Sequence, residues 1–412
     1  MRKAKLKDLF DYLPKSKVKA GDGLEEGIYP FYTSSENQTK YLNEYQHGPG
    51  CLVFGTGGKA SVHFTTCHFS TSTDCIAIKS KQEIEIDVGY VFQYFKGNMQ
   101  VLENGFKGAG LKHISKAYLS DIQIPYPEDI DDQRRIAHLL GKVEGLIVQR
   151  KQRLQQLDDL LKGVFLEMFG DPVRNEKGWD TKTLPELVQS GKNALKRGPF
   201  GGALKKEIFV ETGYLVYEQN HALNNDYSFA RYFVSEEKFQ ELIDFKVVPG
   251  DVLISCSGVY LGKLSIVPAN ALPGIINQAL LKVSLDPAKI EHRFFVHVFG
   301  SPQFKEKYFP SNRGGAIPNL PPMSVMKEIP FIYPPLKLQQ DFTNIYQKVD
   351  ALKSEYHQSL TNLEALYGAL SQQAFKGELD LSRVPMPGIE PEEEKIVAAE
   401  LLQIPAEKGL AI

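Results

Sequence analysis

Long apolar runs are missing from this chain: no stretch approaches the roughly 20 consecutive apolar residues that a membrane-spanning helix needs. The start MRKAKLKDLF is too polar for a secretory signal, so a cytoplasmic protein with no membrane partner is expected. Cysteine is scarce. Cys51, Cys67, Cys75 and Cys256 form no CxxC pair and no ligand spacing, which argues against a zinc site or a disulfide framework and for reduced thiols. His63 and His68 flank Cys67 in HFTTCHF, yet that stretch reads as ordinary strand and turn, and no metal site is expected. An excess of one charge is also lacking. Lys and Arg total 48 against 50 Asp and Glu, a net charge of −2 that still permits basic loops offset by acidic helices. Catalytic signatures are absent too: no HExxH, no GxSxG, no GxGxxG after a strand and no NPPY- or DPPY-type motif occurs. GTGGKA lacks the GK[ST] ending of a phosphate-binding P-loop. These absences argue against an independent nuclease or methyltransferase, and the chain is expected to be non-catalytic.

What the chain has is a repeat. From Gln133 to Phe169 the apolar residues Ile136, Leu140, Val143, Ile147, Leu154, Leu157, Leu161, Val164 and Met168 alternate spacings of four and three, with Arg150 in the one polar slot. That is a heptad seam on a long helix. An offset of 206 gives a second such segment without a gap, Gln339 to Phe375, with Phe342, Tyr346, Val349, Lys353, Tyr356, Leu360, Leu363, Tyr367, Leu370 and Ala374 on its seam. Gln133, Lys142, Leu146, Gln152, Leu160 and Phe169 recur as Gln339, Lys348, Leu352, Gln358, Leu366 and Phe375. Identities outside the seam do not follow from helical periodicity, so we read a tandem duplication. Arg150 and Lys353 are read as fixing helix register in preference to meeting a partner subunit, and Tyr346, Tyr356 and Tyr367 as core.

The globular blocks before each helix carry a fainter copy of the same repeat. PGCLVFGTGG (49–58) faces PGDVLISCSG (249–258), GYVFQYF (89–95) faces RFFVHVF (293–299), and KGAGLKHIS (107–115) faces RGGAIPNLP (313–321). Cys51–Gly58 and Asp74–Ser80 read as strands and Val88–Phe95 as a short buried helix. YPEDIDDQ supplies the proline and first-turn acids of a helix start, and Gly170 with Pro172 its stop. Insertions differ between the copies, so the scaffold is shared and the loops are not. The second block begins where the first helix ends and finishes where the second begins; neighbouring domain termini then make the helices antiparallel. The expected architecture is α+β: two similar globular heads joined by two long antiparallel coiled-coil helices in a pseudo-two-fold tandem repeat. A 37-residue helix is about 55 Å long.

If the divergent loops bound DNA, they would need cations for phosphates and amide, hydroxyl or guanidinium groups for base edges. In the first block the candidates are Lys15, Lys17 and Lys19, then Ser34, Ser35, Asn37 and Lys40, Thr56 and Lys59, and Lys107, Lys112 and His113. Gly55, Gly57 and Gly58 permit close approach to a phosphate and equally suit a tight turn. In the second block Lys196, Arg197, Lys205 and Lys206 flank GPFGGAL. YEQNHALNNDYSFAR groups Gln219, Asn220, His221, Asn224, Asn225 and Arg231, although Asn224-Asn225 also reads as a turn. Ser257, Tyr260 and Lys263, then Asn312 and Arg313, complete the set.

The proline-rich leads IPYPEDIDDQRRIAHLL and IYPPLKLQQDFTNIY, each entering a long helix with an early glutamine, and the loop KRGPFGGALKK resemble the specificity subunits of type I restriction–modification systems. The resemblance covers residues 1 to about 380. It implies target recognition domains at 1–132 and 170–338, conserved spacer helices at 133–169 and 339–375, and a C-terminal tail at 376–412 to which no function is assigned. It implies that each domain reads half of a bipartite site in double-stranded DNA. The helices would set the gap and dock two methyltransferase (M) subunits, with motor/nuclease (R) subunits joining around them. It also implies no cofactor in this chain, with S-adenosylmethionine, ATP and Mg2+ used by the partners. The competing expectation is a protein-binding coiled-coil scaffold without sequence readout.

Overall fold

The computed structural model describes residues 1–108, 110–309, 318–382 and 384–386. They divide into two compact units, one of Met1–Arg153 with the described residues from Tyr356 onward, the other of Leu154–Glu355. Both boundaries fall inside long helices, Ile130–Phe169 of 40 residues and Leu336–Lys376 of 41. The first helix starts where the Asp129 carboxylate accepts a bond from the Asp131 amide (2.8 Å). Both stop at a left-handed glycine, Gly170 (φ 76°) and Gly377 (φ 77°), a conformation that closes a helix at little cost only for glycine.

In the first unit the helix segments run antiparallel. Ile136 and Leu140 share a core with Tyr367, Leu370, Ala374 and Phe375, while farther along Lys151 pairs with Glu364 (2.9 Å). The polar seam residue Arg150 lays its guanidinium over the Tyr356 ring at 4.6 Å. The second unit repeats the arrangement: Phe165 and Phe169 pack their rings against Phe342 (5.4 and 5.7 Å), and Lys353 reaches Asp158 (2.6 Å). The two polar seam residues thus each find a partner across the helix pair.

Each head is built around two larger sheets and an aromatic helix. In the first, Phe10–Tyr12, Cys75–Ser80, Cys51–Gly55 and Ser61–Thr65 form an antiparallel sheet in that order. Lys40–Leu42, Tyr29–Tyr32 and Ser70–Thr71 form the other, its last pair parallel. CLVFG is buried throughout because both of its faces are covered. Leu52 and Phe54 meet the helix Val88–Gly97 in one core, while Cys51 and Val53 meet Tyr32 and Phe69 in another. Burying each such side chain is worth about 1.5–3 kcal/mol. The second head has the same order, Leu195–Arg197, Leu280–Val283, Val252–Ser255 and Leu264–Ile266. Its other sheet again holds one parallel pair, Tyr214–Tyr217 with Gly274–Ile276, and adds an edge strand, Lys246–Val247. Val252 and Ile254 face one core and Leu253 the other.

A buried glutamine ties each head to its helix. Gln133 is fully buried; its Nε2 donates to the Pro127 carbonyl (2.9 Å) and its Oε1 accepts from the Asp87 amide (2.8 Å) at the start of the aromatic helix. Gln339, also fully buried, donates to the Pro334 carbonyl (2.8 Å) and accepts from the Glu291 amide (3.0 Å) at the start of His292–Gly300. The repeated early glutamine is a clamp: a fully buried amide that uses both of its ends on backbone groups, one before its own helix and one at the start of the aromatic helix.

Candidate nucleic-acid interface

In the first head, Phe10–Tyr12 and Cys51–Gly55 flank Cys75–Ser80 and both run antiparallel to it. They therefore run parallel to each other, and the loops that follow them leave the sheet toward one end. Those loops carry Lys15, Lys17 and Lys19, all exposed, and Thr56 with the exposed Lys59. The Asp74 carbonyl gathers the end: it accepts from the Thr56 amide (2.8 Å), the Thr56 hydroxyl (2.9 Å) and the Ser34 hydroxyl (2.7 Å). Ser34 Oγ accepts in turn from the Gly57 amide (3.3 Å), and His113 Nδ1 lies 3.1 Å from the Thr56 carbonyl. Three segments of distant sequence are thereby fixed side by side: the turn holding Ser35 and Asn37, the glycine loop, and the Lys107–His113 hairpin. Lys59 answers Glu36 at 3.8 Å. A cleft of about 560 Å³ opens beside them, lined by Lys15, Thr56, Thr71, Thr73, His113 and Lys116. Lys116, missed in the sequence, follows the hairpin directly and stands 4.2 Å over the Tyr12 ring.

The second head builds the same junction from other residues. Gly57 bridges His113 in the first head and Ser257 bridges Asn319 in the second, with His113 and Asn319 separated by the repeat offset. Gly58 and Gly258 share the left-handed conformation (φ 79° and 82°) that turns the chain after the strand, which settles the glycine motif as a turn. Arg197 is half-buried with its guanidinium against the Cys256 thiol, the exposed Tyr260 and Lys263 lie on the turn itself, and the exposed Lys205 and Lys206 lie on the loop that follows Leu195–Arg197. Burial pushes that thiol up to about 11 despite the neighbouring cation. Lys196 lies 3.3 Å from the Asp244 carboxylate, which the Asn193 amide and then Lys196 hold below the usual carboxylate range.

The segment 217–231 requires a correction. His221 is not available to DNA: it is fully buried, its Nδ1 accepts from the Glu218 amide (3.0 Å), and its Nε2 faces the Phe229 carbonyl (2.9 Å). It caps the short helix Gln219–Asn224 and fills the core. Gln219 also turns inward, its amide donating to Ser255 Oγ and the Ser257 carbonyl, both at 2.9 Å. Asn224 donates to Asn220, and Asn225 ends the helix at φ 51°, so this asparagine pair does form a turn. Arg231 is exposed but makes two bonds to Glu218 (2.6 and 3.2 Å) and stacks on Tyr232. Lys40, half-buried, lays its stem over Gly23. Asn312 and Arg313 lie outside the described residues.

Among the described residues no cluster of His, Cys, Asp and Glu could hold a metal ion, and no helix is long and apolar enough to cross a membrane. The chemistry on offer is cations, hydroxyls and amides on loops fixed to a repeated scaffold.

Comparison with known proteins meets this geometry from the outside. The family model described as the type I restriction modification DNA specificity domain matches the chain twice, over residues 1–158 and 176–365. The specificity subunit of the type I restriction enzyme MjaVIII of Methanocaldococcus jannaschii is 24% identical over 304 residues, covering 69% of this chain and 67% of that protein. The StySPI specificity subunit of Salmonella potsdam is 23% identical over 289 residues, covering 66% of this chain and 61% of that protein. A crystal structure of the S subunit of a type I restriction–modification system from M. genitalium superimposes with a TM-score of 0.60 at 17% identity, covering 91% and 96% of the two chains. A chain from a structural study of the assembly and conformational transition of the type I system gives 0.51 at 16%, covering 92% and 98%. At such identities the structural likeness establishes the fold.

Proposed function

The chain belongs to the type I restriction modification DNA specificity family, and from that premise we propose that each head reads one half of a split sequence in double-stranded DNA. The helices set the unread gap and dock two methyltransferase subunits, and motor/nuclease subunits complete the assembly. The chain itself performs no catalysis; S-adenosylmethionine, ATP and Mg2+ serve the partner subunits in the cytoplasm.

One observation carries the reading. Both heads present the same loop junction, Gly57 with His113 and Ser257 with Asn319, yet cover it with different groups. Lysines, Thr56 and His113 serve in one head, and Arg197, Lys205, Lys206 and Tyr260 in the other. A duplicated scaffold with divergent loops suits two unlike half-sites, because base edges are told apart by donor and acceptor pattern while phosphate contacts only position. Docking has its own support. Leu146 and Leu366 in the first unit, and Leu160 and Leu352 in the second, lie off the seam, yet all four are 44–50% exposed, and 206 positions relate each to its copy. Repeated exposed leucines on a helix surface suit two copies of one protein partner.

The gap follows from helix length. Forty residues make about 60 Å, which bounds the unread segment at under roughly 18 base pairs. Inserting one heptad at equivalent points of both helices should lengthen the gap in the methylated motif and leave both half-sites unchanged. An unaltered gap in a stable, active complex would remove the spacing role.

A further inference from the structure

One large apolar side chain in the second head sits where burial cannot explain it. Phe200 is 74% exposed at the tip of GPFGG, on the loop that follows Leu195–Arg197. The loop is not loose. The Gly198 amide donates to the Leu280 carbonyl (2.9 Å), and Gly198 lies so close to the Asn277 carbonyl that any side chain there would collide with it. The neighbouring loop, after Val252–Ser255, leaves the same end of the sheet, since Arg197 and Ile254 both stand opposite Leu281. Its turn is equally well built: the Leu261 amide donates to the Gly258 carbonyl (3.1 Å) and the Gly262 amide to the Ser255 carbonyl (3.0 Å). Leu261 packs inward on the core while Val259 (88% exposed) and Tyr260 point out.

Two loops, each anchored by backbone hydrogen bonds, thus hold apolar groups in water at one end of the sheet. The Arg197 guanidinium lies 5.9 Å from the Phe200 ring. Lys205, Lys206 and Lys263 make no ion pair with any described residue. The equivalent loops of the first head, LPKSKVKAGDG and TGGKA, contain no aromatic residue, so the feature belongs to the second head alone.

We propose that Phe200 is a base-contacting residue of the second head, its ring stacking on an exposed base face at one step of the half-site while Lys205, Lys206 and Lys263 hold the flanking phosphates. The occupant is duplex DNA, because cations without ion-pair partners on the same two loops as an apolar tip complement a polyanion whose only apolar surfaces are base faces and thymine methyls. The ring brings affinity and preference for an easily unstacked step; the lysines bring sequence-independent attraction. This rests on the reading of the second head as a DNA-recognition domain, and it names a contact within that reading.

The test uses the full chain with its methyltransferase subunit and a labelled duplex carrying the motif found in a methyl-adenine map. Phe200→Ala should weaken binding about 5- to 160-fold, the range of one base–aromatic stack, and leave the slope of log affinity against log salt unchanged. Phe200→Tyr should restore binding, and a thymine in the second half-site that reacts with permanganate in the wild-type complex should lose that reactivity in Phe200→Ala. Lys205→Ala with Lys206→Ala should instead lower the salt slope by about 1.8. Phe200→Ala binding like wild type overturns the proposal. So does a loss that appears as weaker association with the methyltransferase subunit, which would make Phe200 a protein contact, or one accompanied by a reduced salt slope. A wild-type complex with no preference among duplexes would overturn the DNA-recognition reading itself, and this contact with it.

Discussion

Replacing Gln133 by alanine tests the link between helix and head. The side chain is fully buried and makes two hydrogen bonds, to the Pro127 carbonyl and from the Asp87 amide. Alanine removes the partner of two half-buried backbone groups; a fully buried group left unpaired costs about 1–3 kcal/mol, so the loss is at most about 2–6 kcal/mol. That is a large share of the roughly 5–15 kcal/mol that holds a domain together. Gln133→Glu keeps an acceptor for the Asp87 amide but turns a second oxygen on the Pro127 carbonyl in a fully buried site, so it should destabilise as well. Gln339→Ala should cost the same in the second unit, where the chain's only tryptophan, Trp179, reports unfolding. Urea unfolding followed by circular dichroism and by tryptophan fluorescence measures both. Hydrogen exchange adds the local reading, with faster exchange expected at Asp87 in one variant and at Glu291 in the other. A loss below about 0.5 kcal/mol, with exchange at these amides unchanged, would refute the clamp.

Two further outcomes follow from buried titratable groups. His297 is held neutral by burial, its pKa lowered to about 4, so the folded chain binds fewer protons than the unfolded one as pH falls from 6.5 toward 4. Stability should therefore decline through that window, by up to about 3 kcal/mol from this residue. His297→Gln, which installs the residue found at the matching position Gln93, should flatten that part of the pH profile of Trp179-detected unfolding. Among the thiols, burial pushes Cys75 and Cys256 up to about 11, and Cys51 is buried and raised as well, while Cys67 is exposed. At neutral pH a thiol reagent should label one cysteine quickly in the native chain; prompt labelling of Cys75 or Cys256 would show that their strands open readily.

The repeat was legible because it rests on periodicity and on identities at a fixed offset, and both survive loop divergence. The seam could be read for the same reason, as could CLVFG, whose unbroken apolar run reflects cover on both faces of a strand. Gln133 was visible as a repeated letter, but its role was not, since its second partner is the amide of Asp87 in another element. The loops were located correctly as places for polar side chains, but which of those side chains remain free is a tertiary matter. His221 and Gln219 looked like surface groups by residue type, and the fold spends both on internal bonds to Glu218, Phe229, Ser255 and Ser257. Phe200 shows the reverse case. Its apolar side chain suggests an interior, and the backbone anchors at Gly198 place it in water.

Two heads should read two halves of one site. Methyl-adenine mapping of DNA from cells that express this chain with its methyltransferase subunit tests this directly, repeated without the chain and with Arg197 and Arg231 of the second head replaced. One split motif is expected that vanishes without the chain, and replacements that relax or weaken one half while the other stays fixed. Methylation that persists without the chain, or both halves changing together, would contradict it.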